Sequence, residues 1–292
     1  MYPSVYAKGV KADFINFFDN TPKNNIDKMI LKTKSRGANE TYDIPMTMPG
    51  VSRLVDEVQF EEVYDKAYTI NNSDWAVGVV ENRNTIKDAE EYTGGTITNK
   101  IMQTAQGFAR LPIKEVSTLL ESTSGVAFDG TVFFSTSRSL AGATLVNKVS
   151  STGGMTTLAG VTSAYSRGKT ALLSLKDKNG DPFNEMPDLA VICAPKNEDV
   201  WQKLLVARED YTATDSIYRG TAQVIVNPYL KSTKNTAYLV NLAAGNSFIW
   251  QEREAVKAYT EDDEKTPFVK FWWKSRAGFG YGMPTSIVKM SS

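Results

Sequence analysis

The stretch AFDGTVFFSTS, residues 127–137, places an Asp-Gly turn signal between aromatic residues. Asp129 and Gly130 supply the turn, with Phe128 on one side and Phe133 and Phe134 on the other. The segment that follows, up to about residue 160, is poor in charge and rich in Ser, Thr, Gly and Ala. The stretch therefore predicts a tight reversal of the chain, followed by a segment that carries little chemistry of its own.

The composition is that of a globular protein without an excess of either charge. Of 292 residues, 41% are hydrophobic and 23% are charged, which suits one large domain or two ordinary ones. Lys plus Arg and Asp plus Glu each number 33, so the chain lacks the basic excess typical of proteins that wrap nucleic acid. No apolar run reaches the roughly 18 residues of a membrane span, and Lys8, Lys11 and Asp13 interrupt any signal-peptide core. We expect a cytoplasmic protein.

The residue inventory disfavours the common catalytic and metal sites. The chain has no histidine, which removes Ser-His-Asp and Cys-His arrangements and HExxH zinc sites. The single cysteine, Cys193, lies in the apolar run DLAVICAP and is interpreted as a small buried hydrophobe. Asp177, Asn179 and Asp181 imitate the start of a calcium loop, but Pro182 stands where that loop needs glycine. We expect no catalytic residue, no cofactor and no bound metal.

Hydrophobic periodicity predicts an α+β fold, because helices and strands do not alternate regularly along the chain. The N-terminal 40 residues hold short apolar pieces and are interpreted as an arm that lies on another surface. The other predicted elements are a two-stranded hairpin (57–86), a helix interrupted at Pro112 (96–123), a second helix within 156–177, a buried strand (188–195), a helix capped by Asn197, two strands (222–230 and 236–242) and a long strand pair (267–290) joined near 276–282.

The predicted hairpin cannot bury its own apolar side chains. An isolated two-stranded hairpin is marginally stable in water, whereas each fully buried large apolar side chain contributes about 1.5–3 kcal/mol. The N-terminal arm poses the same problem, so neighbouring copies of the chain are expected to cover both segments. The expected intersubunit contacts are Phe14, Phe17, Phe60, Tyr64, Tyr68, Trp75 and Val77.

These motifs, in this order, resemble the major head subunit of Mu-like tailed phages, a family with the Hong Kong 97-type capsid fold. The stretch VYDKAYTINNSDWAVGV (63–79) resembles the first long hairpin of that family. Where family members often carry proline and histidine near the aromatic turn, this chain has Val132 and Arg138. The other residues that match are Phe128, Asp129, Gly130, Phe133, Phe134 and Ser135 in the turn, and Arg276, Gly280, Tyr281 and Gly282 near the C-terminus.

The resemblance implies a division into an N-arm (1–56), an extended loop (57–86), a peripheral domain with a spine helix (87–154), an axial domain (155–250) and further peripheral strands (251–292). The bland segment after Gly130 would then cross towards the axial domain. The implied function is a major capsid protein whose copies form hexamers and pentamers of an icosahedral head around double-stranded DNA. It would be assembled in the host bacterial cytoplasm, be found in the virion, and meet portal, scaffold and decoration proteins.

Other functions remain open from the sequence. An encapsulin-type compartment or a gene-transfer particle would use a shell subunit of the same fold. A hydrolase with paired carboxylates, for example Asp262 and Glu264 near Trp250, is disfavoured because no cleft signature accompanies them. A carbohydrate-binding module that uses exposed aromatic residues is a further class. Particle size separates these functions, since only a shell subunit forms rings or closed particles.

Overall fold

The computed structural model describes residues 3–22, 25–45, 65–86, 95–140, 143–177, 180–206, 217–231, 235–262 and 265–292. The helices with bounds in these ranges are α1 (Pro3–Asp19), α2 (Gly95–Ala109), α3 (Leu111–Glu121), α4 (Leu158–Leu173) and α5 (Glu198–Leu205). The strands are β1 (Ile30–Lys34), β2 (Asn39–Pro45), β3 (Asp65–Asn71), β4 (Ser73–Asn82), β5 (Arg138–Leu140), β6 (Ala143–Leu145), β7 (Lys148–Ser150), β8 (Leu189–Cys193), β9 (Gln223–Val226), β10 (Thr236–Asn241), β11 (Phe248–Asp262), β12 (Phe268–Tyr281) and β13 (Ile287–Ser291). None of the described helices is long and apolar enough to cross a membrane.

Two sheets organise the fold. The long sheet has the strand order β1-β11-β12-β4, and the five-stranded sheet has the order β7-β13-β10-β8-β9. Strands β2 and β3 form a separate pair, as do β5 and β6. Strands β11 and β12 are 15 and 14 residues long and run antiparallel to each other. The predicted α+β class is confirmed, since helices and strands do not alternate along the chain.

Three clusters of buried side chains form the core. One joins the two sheets and contains Phe133, Tyr238 and Phe248. A second packs α4 and α5 against the five-stranded sheet and contains Trp201. The third packs α1 and α2 against one face of the long sheet and contains Trp273. The long sheet is therefore covered by helices on one face, which is called its inner face below.

Several predicted elements are confirmed. The helix expected over 96–123 is present as α2 and α3, which meet at Arg110. Pro112 lies in the first turn of α3, where its missing N–H costs nothing and its ring ends the preceding helix. Strand β8 is buried at every position, as expected for DLAVICAP. Asn197 does precede α5, but its side chain makes no capping hydrogen bond.

The predicted hairpin over 57–86 is wrong in its pairing. Strand β3 pairs with β2, and β4 pairs with β12, so the two segments expected to form one hairpin belong to different sheets. Only Asn72 separates β3 from β4, and its amide Nδ2 donates to Oγ of Ser35 at 2.7 Å and to the carbonyl of Gly37 at 3.0 Å. These bonds tie the junction to the turn before β2, so no hairpin turn forms there. Residues 46–64 lie outside the described part.

Two further expectations are corrected. The N-terminal arm contains helix α1, whose Phe14 is buried and stacks on Trp273 with ring centroids 4.4 Å apart. The strand pair expected over 267–290 is instead one unbroken strand, β12, followed by β13 in the other sheet. The glycines near the end of β12 do not form a turn. A Cβ atom at Gly280 would lie 2.4 Å from Cδ1 of Ile70, so glycine there allows β3 to cross close over β12.

The aromatic turn lies where the two sheets meet. Gly130 has φ of 80°, and its N–H donates to the carbonyl of Ala127 at 3.0 Å, which closes the reversal that the sequence predicts. Phe133 then enters the core and stacks on Tyr281 at the end of β12, with centroids 4.4 Å apart. The turn therefore fixes the end of the long sheet against the chain that follows α3.

The buried side chain of Arg138 stabilises this turn. Its Nη2 donates to the carbonyls of Val132 at 2.7 Å and Thr131 at 3.3 Å, and its Nε lies 3.0 Å from Oδ2 of Asp129. Both side chains of the ion pair are buried, and the pair attracts by charge without the alignment of a hydrogen bond. Burial lowers the pKa of the Arg138 guanidinium, and the nearby Asp129 opposes that shift.

Buried thiol and phenol groups make the stability fall in alkali. Burial raises the pKa of Cys193 from 9.0 to about 12 and also raises the pKa of Tyr238. Both groups stay protonated in the folded chain and ionise on unfolding, so their contribution is complete below about pH 9 and declines as the pH rises. Between pH 8 and pH 11 we expect the free energy of unfolding to fall by about 4 kcal/mol through these two groups.

Urea unfolding followed by tryptophan fluorescence at the two pH values measures this loss. A Cys193→Ala variant is the matched control, since it should lose the part of the decline that comes from the thiol and keep the part that comes from the buried phenols. An unchanged pH dependence in that variant would mean that the thiol is not protected in the folded chain. Below pH 8 the curve should be flat down to the carboxylate range, because the chain has no histidine to titrate.

Candidate assembly surface

The sequence-predicted contact residues Tyr68, Trp75 and Val77 face the chain's own core. The hydroxyl of Tyr68 accepts a hydrogen bond from the N–H of Tyr281 at 3.2 Å. The indole N–H of Trp75 donates to the carbonyl of Ala277 at 3.1 Å. Trp75 and Val77 lie on the inner face of β4 and pack against the cluster under α1 and α2. These three side chains therefore stabilise the subunit itself.

Of the other expected contact residues, two lie near the core of the subunit and two lie outside the described residues. Phe14 is buried in the inner-face cluster of its own subunit, and its expected contact with a neighbouring subunit stays a prediction. Phe17 is partly buried against the same cluster. Phe60 and Tyr64 lie outside the described residues. The sequence therefore identified aromatic residues that pack near the long sheet. It did not show that helix α1 and the sheet form one buried cluster with them.

The outer face of the long sheet carries several apolar side chains that are exposed in the described part of the subunit. Val80 is 55% exposed on β4, and Phe268 is 46% exposed on β12. Lys270 lies opposite Val80, and Trp272 lies opposite Gly78, so all of these positions share one face. We define the outer-face patch as Val80, Tyr259, Phe268 and Trp272.

The centre of the outer-face patch is an aromatic pair. Tyr259 and Trp272 are opposite each other on β11 and β12, and their rings stack with centroids 5.6 Å apart. Trp273, the next residue, points to the inner face and is fully buried. The two adjacent indoles therefore occupy opposite faces of β12, and the partly exposed one is Trp272.

Charged pairs form the rim of the patch. Lys270 Nζ lies 3.3 Å from Oε1 of Glu261, and Lys274 Nζ lies 3.5 Å from Oδ1 of Asp74. These side chains are about half exposed, so such pairs contribute at most about 1 kcal/mol each to stability. An exposed apolar patch inside a polar rim is typical of a protein–protein contact.

A second exposed apolar region lies within 155–250. Met186 is 88% exposed and Ile217 is 83% exposed, the two highest values among large apolar side chains in the described ranges. Met186 lies in the loop before β8, and Ile217 lies between α5 and β9. Side chains this exposed add nothing to the core, so their apolar surface is available to another molecule.

Of the residues named for the hydrolase alternative, Asp262 and Trp250 lie far apart. Asp262 forms an ion pair with Arg83, and Glu264 lies outside the described residues. Trp250 is near the start of β11 and Asp262 is at its end, which separates them by roughly 40 Å along the strand. Among the described side chains, no group of three His, Cys, Asp or Glu residues is placed to hold a metal ion.

Comparison with known proteins adds a family and a fold. The family described as Mu-like prophage major head subunit gpT matches residues 4–161. The sequence has no match among curated proteins. The Pyrococcus furiosus virus-like particle protein superposes with a TM-score of 0.59 at 11% identity, over 98% of this chain and 99% of that one.

Phage shells give similar values. The capsid of the Cyanophage P-SCSP1u has a TM-score of 0.59 at 10% identity, over 92% of this chain and 88% of that one. The procapsid of bacteriophage JBD30 has a TM-score of 0.52 at 16% identity, over 100% of this chain and 76% of that one. Similarity at such low identity establishes the architecture, and the expected Hong Kong 97-type fold is confirmed.

Proposed function

This chain belongs to the family of Mu-like prophage major head subunits and is a structural capsid protein, and from that premise we propose that its copies form the hexamers and pentamers of an icosahedral head around double-stranded DNA. The outer-face patch carries this proposal, because it is apolar, exposed and unused by the subunit's own core. Subunits that join head to tail close into rings when the rotation permits.

We assign the parts of the subunit as follows. The β2–β3 pair is the described part of the extended loop, in place of the hairpin expected over 57–86. The inner-face helix α2 and its continuation α3 are the spine helix, and strands β11 and β12 complete the peripheral domain. The axial domain is 155–250 together with β7 and β13, which belong to its five-stranded sheet, and the exposure of Met186 and Ile217 supports a contact between copies in that domain.

The proposed role is structural and has no enzymatic step. Portal, scaffold and decoration proteins are the proposed partners, and the host bacterial cytoplasm is the proposed site of assembly. Equal numbers of acidic and basic residues suit a container, because a strongly basic wall would hold the packaged genome through its phosphates.

Negative-stain electron microscopy and size-exclusion chromatography of the purified chain test the proposal. We expect rings, sheets or closed particles far larger than the 32.2 kDa subunit. A chain that remains monomeric at high concentration, alone and in a lysate containing the other head proteins, would contradict it.

A further inference from the structure

A groove separate from the outer-face patch lies between strand β7 and helix α4. Its volume is about 530 Å³, within the range of about 300–1,000 Å³ that is usual for ligand clefts. Val146, Val149, Ala171 and Leu175 supply its apolar lining, and Ser and Thr hydroxyl groups supply most of the remainder. The groove therefore combines apolar contact with many small hydrogen-bonding groups.

The backbone of β7 is open on the groove side. Strand β7 is at the edge of the five-stranded sheet and pairs in parallel with β13. The N–H of Lys289 donates to the carbonyl of Asn147 at 2.9 Å, and the N–H of Ser151 donates to the carbonyl of Ser291 at 2.7 Å. Since backbone groups alternate in direction along a strand, those of Lys148 and Ser150 point away from β13, where no described strand pairs with them.

Arg167 gives the groove its charge. It is the one charged residue among those that line the groove in the described ranges. Its Nη1 donates to the carbonyl of Ser150 at 2.9 Å, which holds the guanidinium beside the open edge. The N–H and carbonyl of Lys148 and the N–H of Ser150 are then left for an added strand. A guanidinium next to an open strand edge favours an extended chain that carries a carboxylate.

We propose that this groove binds an extended acidic peptide segment of a separate protein, which adds to β7 as a strand and places a carboxylate on Arg167. A second copy of this chain would be a different occupant, and the particle assay below separates it from a peptide of another protein. The groove is a different surface from the outer-face patch, and the inference does not depend on that patch.

Fluorescence anisotropy with a labelled, acetylated and amidated Thr-Val-Glu-Val-Thr peptide tests this inference on the full chain. We expect saturable binding, and about tenfold weaker binding when lysine replaces the peptide's glutamate. Arg167→Glu should reverse that preference. Lys169→Glu makes a similar charge change on the same helix outside the groove lining, so it should leave both affinities unchanged.

A second variant tests the strand addition itself. Lys148→Pro removes an N–H that points away from β13, so the fold should persist while peptide binding weakens. The proposal is overturned if neither peptide binds, if both bind equally, or if Lys169→Glu acts like Arg167→Glu. It is also overturned if Arg167→Glu leaves peptide binding intact and instead prevents particle formation, since the groove would then be a contact between copies.

Discussion

Replacing Arg138 by methionine is expected to lower the free energy of unfolding by about 3–5 kcal/mol. The substitution leaves the carboxylate of Asp129 buried without its cation and removes the donor to the carbonyls of Thr131 and Val132. Methionine has a comparable length and no charge, so the loss reports the polar contacts rather than a cavity. Urea unfolding monitored by circular dichroism measures it.

The cause of this loss can be separated by a second change. Because an unpaired buried charge costs more than an apolar side chain of similar volume, the double variant Arg138→Met with Asp129→Leu should recover the part of the loss that comes from the unpaired carboxylate. The hydrogen bond from the N–H of Thr131 to Oδ1 of Asp129 and the bonds from Arg138 stay lost. Ser139→Ala, at the neighbouring exposed position, should change stability by less than about 0.5 kcal/mol. A double variant as unstable as the sum of its two single variants would show that the pair does not act as a unit.

The local sequence pattern predicted the elements that can be recognised without knowing which strands pair. The apolar residues at helical spacing over 96–123 predict a helix and its buried side, and the proline within that range predicts where the helix is interrupted. Both signals depend only on residues close in sequence. Residues 189–194 of the run DLAVICAP are all apolar, which is typical of a central strand buried on both faces. The Asp-Gly signal likewise specifies a turn through the conformation of two residues.

Strand pairing could not be predicted in the same way. Strand β4 pairs with β12, which lies almost 200 residues later in the sequence, and β3 pairs with β2. Polar residues between two apolar runs indicate a turn, but at Asn72 the hydrogen bonds to Ser35 and Gly37 determine the path of the chain. Such distant contacts leave no signal in the local sequence.

The sequence also could not show which face of strand β4 is covered by the subunit's own helices. Alternation along β4 separates Trp75, Val77 and Val79 from Ala76, Gly78 and Val80, but both sets contain apolar residues. Trp75 and Val77 were predicted as contact residues without reference to a face. Helices α1 and α2 pack over the set that contains them, and the other set lies on the outer face.

Placing aspartate at Val80 is expected to abolish particle formation while leaving the subunit folded. Val80 is exposed on the outer face, so the cost to subunit stability should stay within about 1 kcal/mol. In a shell the charge would be buried at every copy of the contact, at a cost of about 3–5 kcal/mol each time when no partner is present. Size-exclusion chromatography and electron microscopy at a concentration where the native chain assembles measure the effect.

The adjacent residue supplies the control, since Val79 is the same amino acid on the same strand but faces the helices. It lies opposite Phe271, which is buried, so Val79→Asp should lower the free energy of unfolding by about 2–4 kcal/mol in the isolated subunit. If Val80→Asp also unfolds the subunit, the outer face is not open. If Val80→Asp assembles normally, copies of the chain meet elsewhere. Only loss of particles with a native-like unfolding curve at position 80, together with loss of stability at position 79, assigns assembly to the outer-face patch.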